Sequence, residues 1–358
     1  MTENAIEQYT IDLMGRLGYQ YVYAPDIAPD GNAPERESYS QVLLLGRLRK
    51  AIKRINDHLS HDIQEQALKE IQRIASPDLV ANNKAFHKYL TEGVPVSKNV
   101  EGYERGDRLW LIDFENPDNN DFLVSNQFTV VENNNNKRPD VILFVNGIPL
   151  VVMELKNAAD ETATVYSAFK QIETYKTIIP GLFTYNGFVV ISDGLEAKAG
   201  SISADYSRFM AWKTADGQKE ASSTTSQMET LILGMLNKGT LLDIIRYFIV
   251  FDESAKEDPQ TGIITKTTVK KLAAYHQYYA VNRAVESTLR ASGYILKQDT
   301  KRVLTQSPES YGLPGVSKQP VSDRKGGVVW HTQGSGKSLS MVFYTGKIVL
   351  AMDNPTIV

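Results

Sequence analysis

Residues Arg138 to Asn157 read RPDVILFVNGIPLVVMELKN, and the spacing of the few polar residues in this stretch sets the expectation for the rest of the chain. Two apolar runs, residues 141–145 and 150–153, flank Asn146-Gly147, a strong two-residue turn signal, so the segment is expected to be a β-hairpin. Asp140 opens the first strand. Glu154 and Lys156 stand two residues apart and therefore share one face of the second. Two carboxylates and a lysine brought together suit phosphodiester hydrolysis: Asp140 and Glu154 hold Mg²⁺, while the Lys156 ammonium polarises the attacking water and offsets charge developing at phosphorus. A buried hairpin capped by a solvated Glu and Lys is the plainer alternative, and context decides between them.

The register sets a condition on that chemistry. A two-residue loop pairs Val145 with Ile148 and sets Asp140 opposite Met153, on the other face from Glu154. One metal site needs Asp140 opposite Glu154. The simplest route is a three-residue connection, Asn146-Gly147-Ile148, with Gly147 at positive φ.

The flanking sequence extends the pattern. Residues 164–179 have helical spacing, with Gln171 and Tyr175 four apart on one face. Residues 187–192, GFVVIS, form the continuous apolar run of a buried strand. At the start, residues 2–17 read as a capped amphipathic helix stopped by Gly18, with Glu3 and Glu7 one turn apart. Residues 24–40 are a Pro, Asp, Gly and Asn-rich loop. Residues 41–59 form a helix with Leu45, Leu48, Ile52, Ile55 and Leu59 as its buried stripe. Arg47, Lys50, Lys53 and Arg54 lie elsewhere on it, as a solvated face or a track for phosphates. Residues 110–114 and 128–131 are expected to be strands completing the sheet ahead of Asp140. An exposed loop at 216–226 precedes helices 228–236 and 241–250, which close the first domain, and the acid-rich segment 251–261 is the expected linker.

A second chemistry follows. A helix over 268–292 and a loop over 300–324 with three prolines lead to a strand over 326–331 (GGVVWH), then TQGSGKS, then a helix from Leu339. Strand, Gly-rich turn and helix are what a phosphate-binding P-loop requires. Gly334 and Gly336, on either side of Ser335, let backbone amides wrap the phosphates; Lys337 reaches the β- and γ-phosphates and Ser338 ligands Mg²⁺. His331 stands where the usual motif has its first glycine.

Bulk properties narrow the class. With 358 residues there is room for two domains. A net charge of −3 with 23% charged residues means that any DNA contact is a local patch. Cysteine is absent, which excludes disulfides and thiolate metal sites. No apolar run approaches membrane-spanning length, and Glu3, Glu7 and Asp12 replace the basic start of a signal peptide. A cytoplasmic protein without a membrane partner is expected.

The order strand, strand, helix, strand resembles the core of PD-(D/E)xK nucleases, and Gln171 to Tyr175 resembles the QxxxY element of the subset related to DNA-processing helicase-nucleases. Nearly end to end, the chain resembles the restriction (motor) subunit of type I restriction-modification enzymes. The most specific pieces are the opening stretch, SAFKQIETYK, VISDGLEAKAGSISADYSRFMAWKT, KKLAAYHQYYAVNRAVE and GGVVWHTQGSGKS. The resemblance implies an α/β chain with a PD-(D/E)xK nuclease domain over residues 1–255. The start of a RecA-like superfamily 2 helicase lobe would follow over 256–358. It implies Asp140, Glu154 and Lys156 as cutting residues, Gln171 and Tyr175 as the accessory motif, Glu7 as a further acid from the first helix, and Gln277 as an adenine reader. Mg²⁺ and ATP are the implied cofactors. Double-stranded DNA, cut far from the recognition site, and the modification and specificity subunits are the implied partners. The helicase carboxylate box, second lobe and arginine finger are not met before Val358, so these residues alone are not expected to hydrolyse ATP. A nuclease fold kept only to bind DNA and dock the motor is the alternative; an independent repair nuclease is disfavoured by the P-loop.

Overall fold

The computed structural model describes residues 2–100, 102–157, 164–257, 262, 264–293 and 324–357. They form two compact units. The first comprises residues 1–113, 118–210 and 250–271; the second comprises 114–117, 211–249 and 272–358.

The first unit is built on a mixed six-stranded sheet. In chain order its elements are α1 (Glu3–Arg16), β1 (Gln20–Tyr23), α2 (Leu45–Ile55), α3 (His61–Gln72), α4 (Leu79–Glu92), β2 (Val94–Val100), β3 (Tyr103–Leu109), β4 (Phe122–Asn126), β5 (Val130–Glu132), β6 (Asn135–Lys137), β7 (Val141–Val145), β8 (Ile148–Leu155), α5 (Val165–Ile178), α6 (Pro180–Thr184), β9 (Phe188–Ser192) and β10 (Ala197–Gly200). The sheet order is β1-β4-β7-β8-β9-β10. β1–β4 and β8–β9 are parallel, whereas β4–β7, β7–β8 and β9–β10 are antiparallel. Every residue of β7, β8 and β9 is buried, as expected of central strands covered on both faces. The parallel β8–β9 pair needs a crossover, and α5 supplies it. Thr164 caps that helix by accepting from Ser167 N, while Ser167 Oγ accepts from Thr164 N.

The β7–β8 hairpin combines a tight turn with a bulge. Asn146 (φ 53°) and Gly147 (φ 81°) are both left-handed, which is the primed turn that matches strand twist. Val145 pairs with Ile148 and Phe144 with Pro149, but Leu143 pairs with Val151, so Leu150 is an extra residue and the register shifts by one. Pro149 has no N–H for the ladder, and prolines inside sheets collect at such bulges. The expected three-residue connection is thus replaced by a two-residue turn followed by a bulge, with the same shift as the outcome.

The turn is held in place from outside the hairpin. Asn146 donates its amide to Leu111 O (2.9 Å) and Asn120 Oδ1 (2.8 Å) and accepts from Asp121 N (2.8 Å). Gly147 O accepts from Leu44 N at 2.9 Å.

Several expectations need correction. Residues 110–114 form no strand: Leu111, Ile112 and Phe114 are buried in an irregular segment whose polar groups bond to Asn56, Asn120 and Asn146. The sheet is completed instead by β4 and β1. The strand expected over 128–131 survives only as β5, paired with β6 in a separate ribbon. The helix expected over 41–59 is confined to α2. Its Arg47 is bound to Glu35 and Asp121 and its Arg54 to Asn119 O. The expected linker is β11 (Ile249–Glu257), paired with β12 (Ile264–Leu272); two of its acids are matched by lysines, Asp252 by Lys271 at 2.6 Å and Glu253 by Lys84. Residues 258–261 of that segment, and 300–323 of the expected proline-containing loop, lie outside the described residues.

The second unit contains α7 (Gln227–Met235), α8 (Lys238–Tyr247), α9 (Tyr275–Ala291) and α10 (Lys337–Ala351). α7 and α8, expected to close the first domain, belong here. Their assignment follows from burial: Asp243 of α8, Asn282 of α9 and Lys347 of α10 form a buried cluster, with Lys347 Nζ donating at 2.6 Å to both partners. Residues 326–331, expected to be a strand, form none among the described residues, and Val328 and Trp330 are about nine-tenths exposed. A parallel strand needs neighbours on both sides to bury such a run.

A Cβ added at Gly147 would stand 2.5 Å from Leu44 O, whereas one at Gly102, equally left-handed in the β2–β3 turn, meets open space. Gly147→Ala is therefore expected to destabilise by about 2 kcal/mol or more, and Gly102→Ala by about 1 kcal/mol. Chemical denaturation of both variants checks the ordering; equal losses would mean that the turn is not pinned.

Candidate active site

The bulge decides which polar side chains meet. Extending the Val141–Met153 register by one residue sets Asp140 opposite Glu154, and residues in register share a face. Asp140 Oδ2 accepts from Leu155 N at 2.6 Å. Glu154 is 1% exposed. Its Oε1 accepts from Lys156 Nζ at 2.6 Å, while its Oε2 is buried without a hydrogen-bond partner. Lys156 is fixed through its backbone, N–H to Ser192 O at 2.8 Å, and Glu3 lies 3.9 Å from its ammonium. Asp140, Glu154 and Lys156 are thus brought together.

Burial raises the pKa of both carboxyls; at Glu154 the Asp140 charge adds to this while Lys156 and the Tyr175 phenol oppose it, and at Asp140 the Leu155 N–H and Lys156 oppose it while Glu7 and Glu3 add to it. Burial alone would lower the pKa of the Lys156 ammonium, but the Glu154 charge and hydrogen bond outweigh it and hold the group charged.

The accessory residues fall around this pair. Tyr175 is buried on α5, and burial followed by the Glu154 charge pushes its phenol well above the usual range; Gln171, one turn earlier, reaches the same phenol and partly counters this. Tyr175 Oη also donates to Arg138 O at 3.4 Å. Glu7 is buried on α1 but turned to other partners: Asn126 Nδ2 donates to it at 3.0 Å, and Gln127 Nε2 lies 3.0 Å from both of its oxygens. Among the described residues no three His, Cys, Asp or Glu side chains stand close enough to hold a metal together. In this arrangement Glu7 is held by Asn126 and Gln127 and is not gathered with the carboxylate pair. Gln127, left-handed at φ 60°, also ties its own N–H to Asp140 O at 3.2 Å. The sequence signals neither this clamp nor the bulge, apart from Pro149.

In the second unit the Gly-rich turn leads into α10. Gly334 (φ 82°) and Gly336 (φ 79°) are left-handed, and Ser335 Oγ is buried without a partner. Lys337 Nζ donates to His331 O (3.0 Å) and Thr332 O (2.9 Å). Gln277, near the start of α9, accepts from Ala274 N (2.9 Å) and donates to Gly336 O (3.0 Å). Gly336 holds its left-handed conformation beside the movable end of the Gln277 side chain, and the positive φ is what favours glycine there. Ser338 is exposed in the first turn of α10.

Residues 1–208 match the family model described as Type I restriction enzyme R protein N terminus. The chain belongs to this family. Residues 276–358 match the SWI2/SNF2 ATPase model. The chain is 38% identical over 363 aligned residues to the Type I restriction enzyme HindI endonuclease subunit of Haemophilus influenzae, covering 100% of this chain and 31% of that protein. It is 32% identical over 361 residues to the Putative type I restriction enzyme MjaIXP endonuclease subunit of Methanocaldococcus jannaschii, covering 96% and 31%. The chain thus spans about a third of the length of these relatives. Among the described residues no helix is long and apolar enough to cross a membrane.

In this R-protein chain the buried carboxylate pair sets a pH dependence. Carboxyls whose pKa is raised on folding contribute stability at low pH that is lost as pH rises through their folded pKa values. Asp140→Asn keeps an oxygen for Leu155 N–H and removes the repulsion. In chelator it should match the parent at pH 4 and exceed it at pH 8.5 by about 1–2 kcal/mol. Thermal melts at the two pH values test this; a constant difference would separate the pair electrostatically.

Proposed function

We propose that the first unit is a PD-(D/E)xK nuclease, the Mg²⁺-dependent cutting centre of an ATP-driven type I restriction enzyme, and that the second unit begins its RecA-like helicase lobe. The observation that carries this reading is the bulged register, which gathers Asp140, Glu154 and Lys156 on one face. An all-oxygen donor pair with one buried, partnerless oxygen, Glu154 Oε2, suits a hard divalent cation. Asp140 and Glu154 would hold Mg²⁺, which supplies Lewis acidity at a phosphoryl oxygen and lowers the pKa of water. Lys156, oriented by Glu154, offsets negative charge at phosphorus. Tyr175, with Gln171 behind it, covers the Glu154 side and keeps that charge out of bulk water.

In the second unit, Gly334 to Ser338 would cradle ATP phosphates at the start of α10. Lys337, which now rests on the His331 and Thr332 carbonyls, would bind phosphate oxygens, Ser338 would hold the accompanying Mg²⁺, and Gln277 would read adenine beside the turn it braces. Double-stranded DNA is the substrate, cut away from a site that the specificity subunit recognises, with the modification subunit as a further partner.

The test is made in the complete enzyme. Glu154→Ala or Lys156→Ala should lower DNA cutting by about a hundredfold or more and leave ATP turnover within about twofold, because the two chemistries use separate residues. Lys337→Ala should abolish ATP turnover. Equal loss of cutting and turnover in a folded Glu154→Ala variant would contradict the assignment.

A further inference from the structure

The row that contains Asp140 and Glu154 does not end at β8. Glu154 pairs with Ile191 of β9, and Ile191 pairs with Lys198 of β10. Residues in register project from the same face, so Lys198 lies in that row, two strand spacings or about 10 Å from Glu154. α5 is placed on the same face by Tyr175 at one end of the row and by ring contacts at the other. Lys198 Nζ lies 4.9 Å from the Tyr206 ring centre and donates to Tyr206 Oη at 3.2 Å. Tyr206 meets Tyr166 edge-on at 5.0 Å, and Lys170 Nζ lies 5.3 Å from the Tyr166 ring centre. Tyr166 is 47% exposed and Lys170 is exposed. Glu196, also exposed, is the acid beside this group, 3.7 Å from Lys198 Nζ.

We propose that Lys198, Lys170, Tyr206 and Tyr166 form a shelf that grips the phosphate backbone of the DNA strand whose scissile phosphate lies over Asp140 and Glu154. The proposal rests on the nuclease reading above. Two ammonium groups and two phenol hydroxyls are donors without sequence preference, the equipment that positions a nucleic-acid backbone. A shelf about 10 Å away meets the backbone one or two nucleotides from the cut, since successive phosphates of a strand are farther apart than the axial rise of about 3.4 Å. Glu196 is the counter-ion that an arriving phosphate displaces. Glu196, Lys198 and Tyr206 thereby acquire a role that the carboxylate pair does not give them.

Binding is measured in chelator, so that no cutting occurs, by anisotropy of a short fluorescein-labelled duplex over a series of salt concentrations. Lys198→Gln and Lys170→Gln are each expected to weaken binding about three- to tenfold and to reduce the log–log salt slope by about one. Glu196→Gln is expected to tighten binding. A group that merely pins β10 to α5 would shift the melting temperature and leave the salt slope unchanged, which would overturn the proposal. So would parent-like binding by Lys170→Gln, whose exposed side chain is dispensable for folding. Cutting by Asp140→Asn, assayed separately with Mg²⁺, judges the nuclease reading: its loss together with unchanged binding by both lysine variants would remove the shelf and leave the nuclease.

Discussion

One extra residue in β8 sets the functional geometry of the first unit. Between Asn146 and Pro149 the hairpin follows the register that its turn dictates, and from Val151 onward it follows one shifted by a residue. Because side chains alternate with period two, this single shift decides whether Asp140 and Glu154 share a face. The bulge is braced from behind. Leu150 O accepts from Gly187 N at 2.7 Å and from Asn186 Nδ2 at 3.2 Å. Asn186 O in turn accepts from Asn83 Nδ2 and from Lys270 Nζ, at 2.7 and 2.8 Å. Lys270 is 1% exposed, and burial lowers its pKa to about 7. A desolvated amine held by Asn83 and a carbonyl is tolerable only when its acceptors are fixed, which ties the loop before β9, α4 and β12 to the place where the register changes.

The site itself works against stability. Two carboxyls face each other under burial, Glu154 Oε2 has no partner, and Gln127 sits in a left-handed conformation beside Asp140. Each such feature costs on the order of 1–3 kcal/mol. The offset is local: every residue of β7 and β8 is buried, and a fully buried Val, Leu, Ile, Phe or Met contributes about 1.5–3 kcal/mol. The apolar hairpin thus carries an electrostatically unfavourable pair at the end of its strands, and its buried side chains offset that cost.

Much of this was legible in the sequence, for reasons that also explain the gaps. β7, β8 and β9 are continuous apolar runs because they are covered on both faces, and Asn146-Gly147 names its own turn. The shift was foreseeable as a requirement, and Pro149 marks its place, but the brace through Asn186, Asn83 and Lys270 joins residues up to 187 positions apart and leaves no local trace. Residues 110–114 mimic a strand because burial, and not pairing, selects Leu111, Ile112 and Phe114. β11 mimics a linker because two of its acids, Asp252 and Glu253, are paired with Lys271 and Lys84, which composition alone cannot match to them. Glu7 carries the sequence pattern of a metal acid, yet the amides of Asn126 and Gln127 claim its oxygens.

The second unit divides the same labour along one helix. Toward its far end α10 is locked by Lys347, fully buried between Asp243 and Asn282 with its pKa lowered by burial. Breaking such a pair strands a charge in the interior, so this end is committed to one arrangement. At its near end the contacts are of another kind. Lys337 is exposed, and its ammonium rests on two backbone carbonyls at 3.0 and 2.9 Å. Neutral carbonyls are weaker partners for an ammonium than phosphate oxygens, and a solvated lysine exchanges them at little cost. α10 is thus anchored in the interior at one end, against α8 and α9, and held by solvent-exposed bonds at the other.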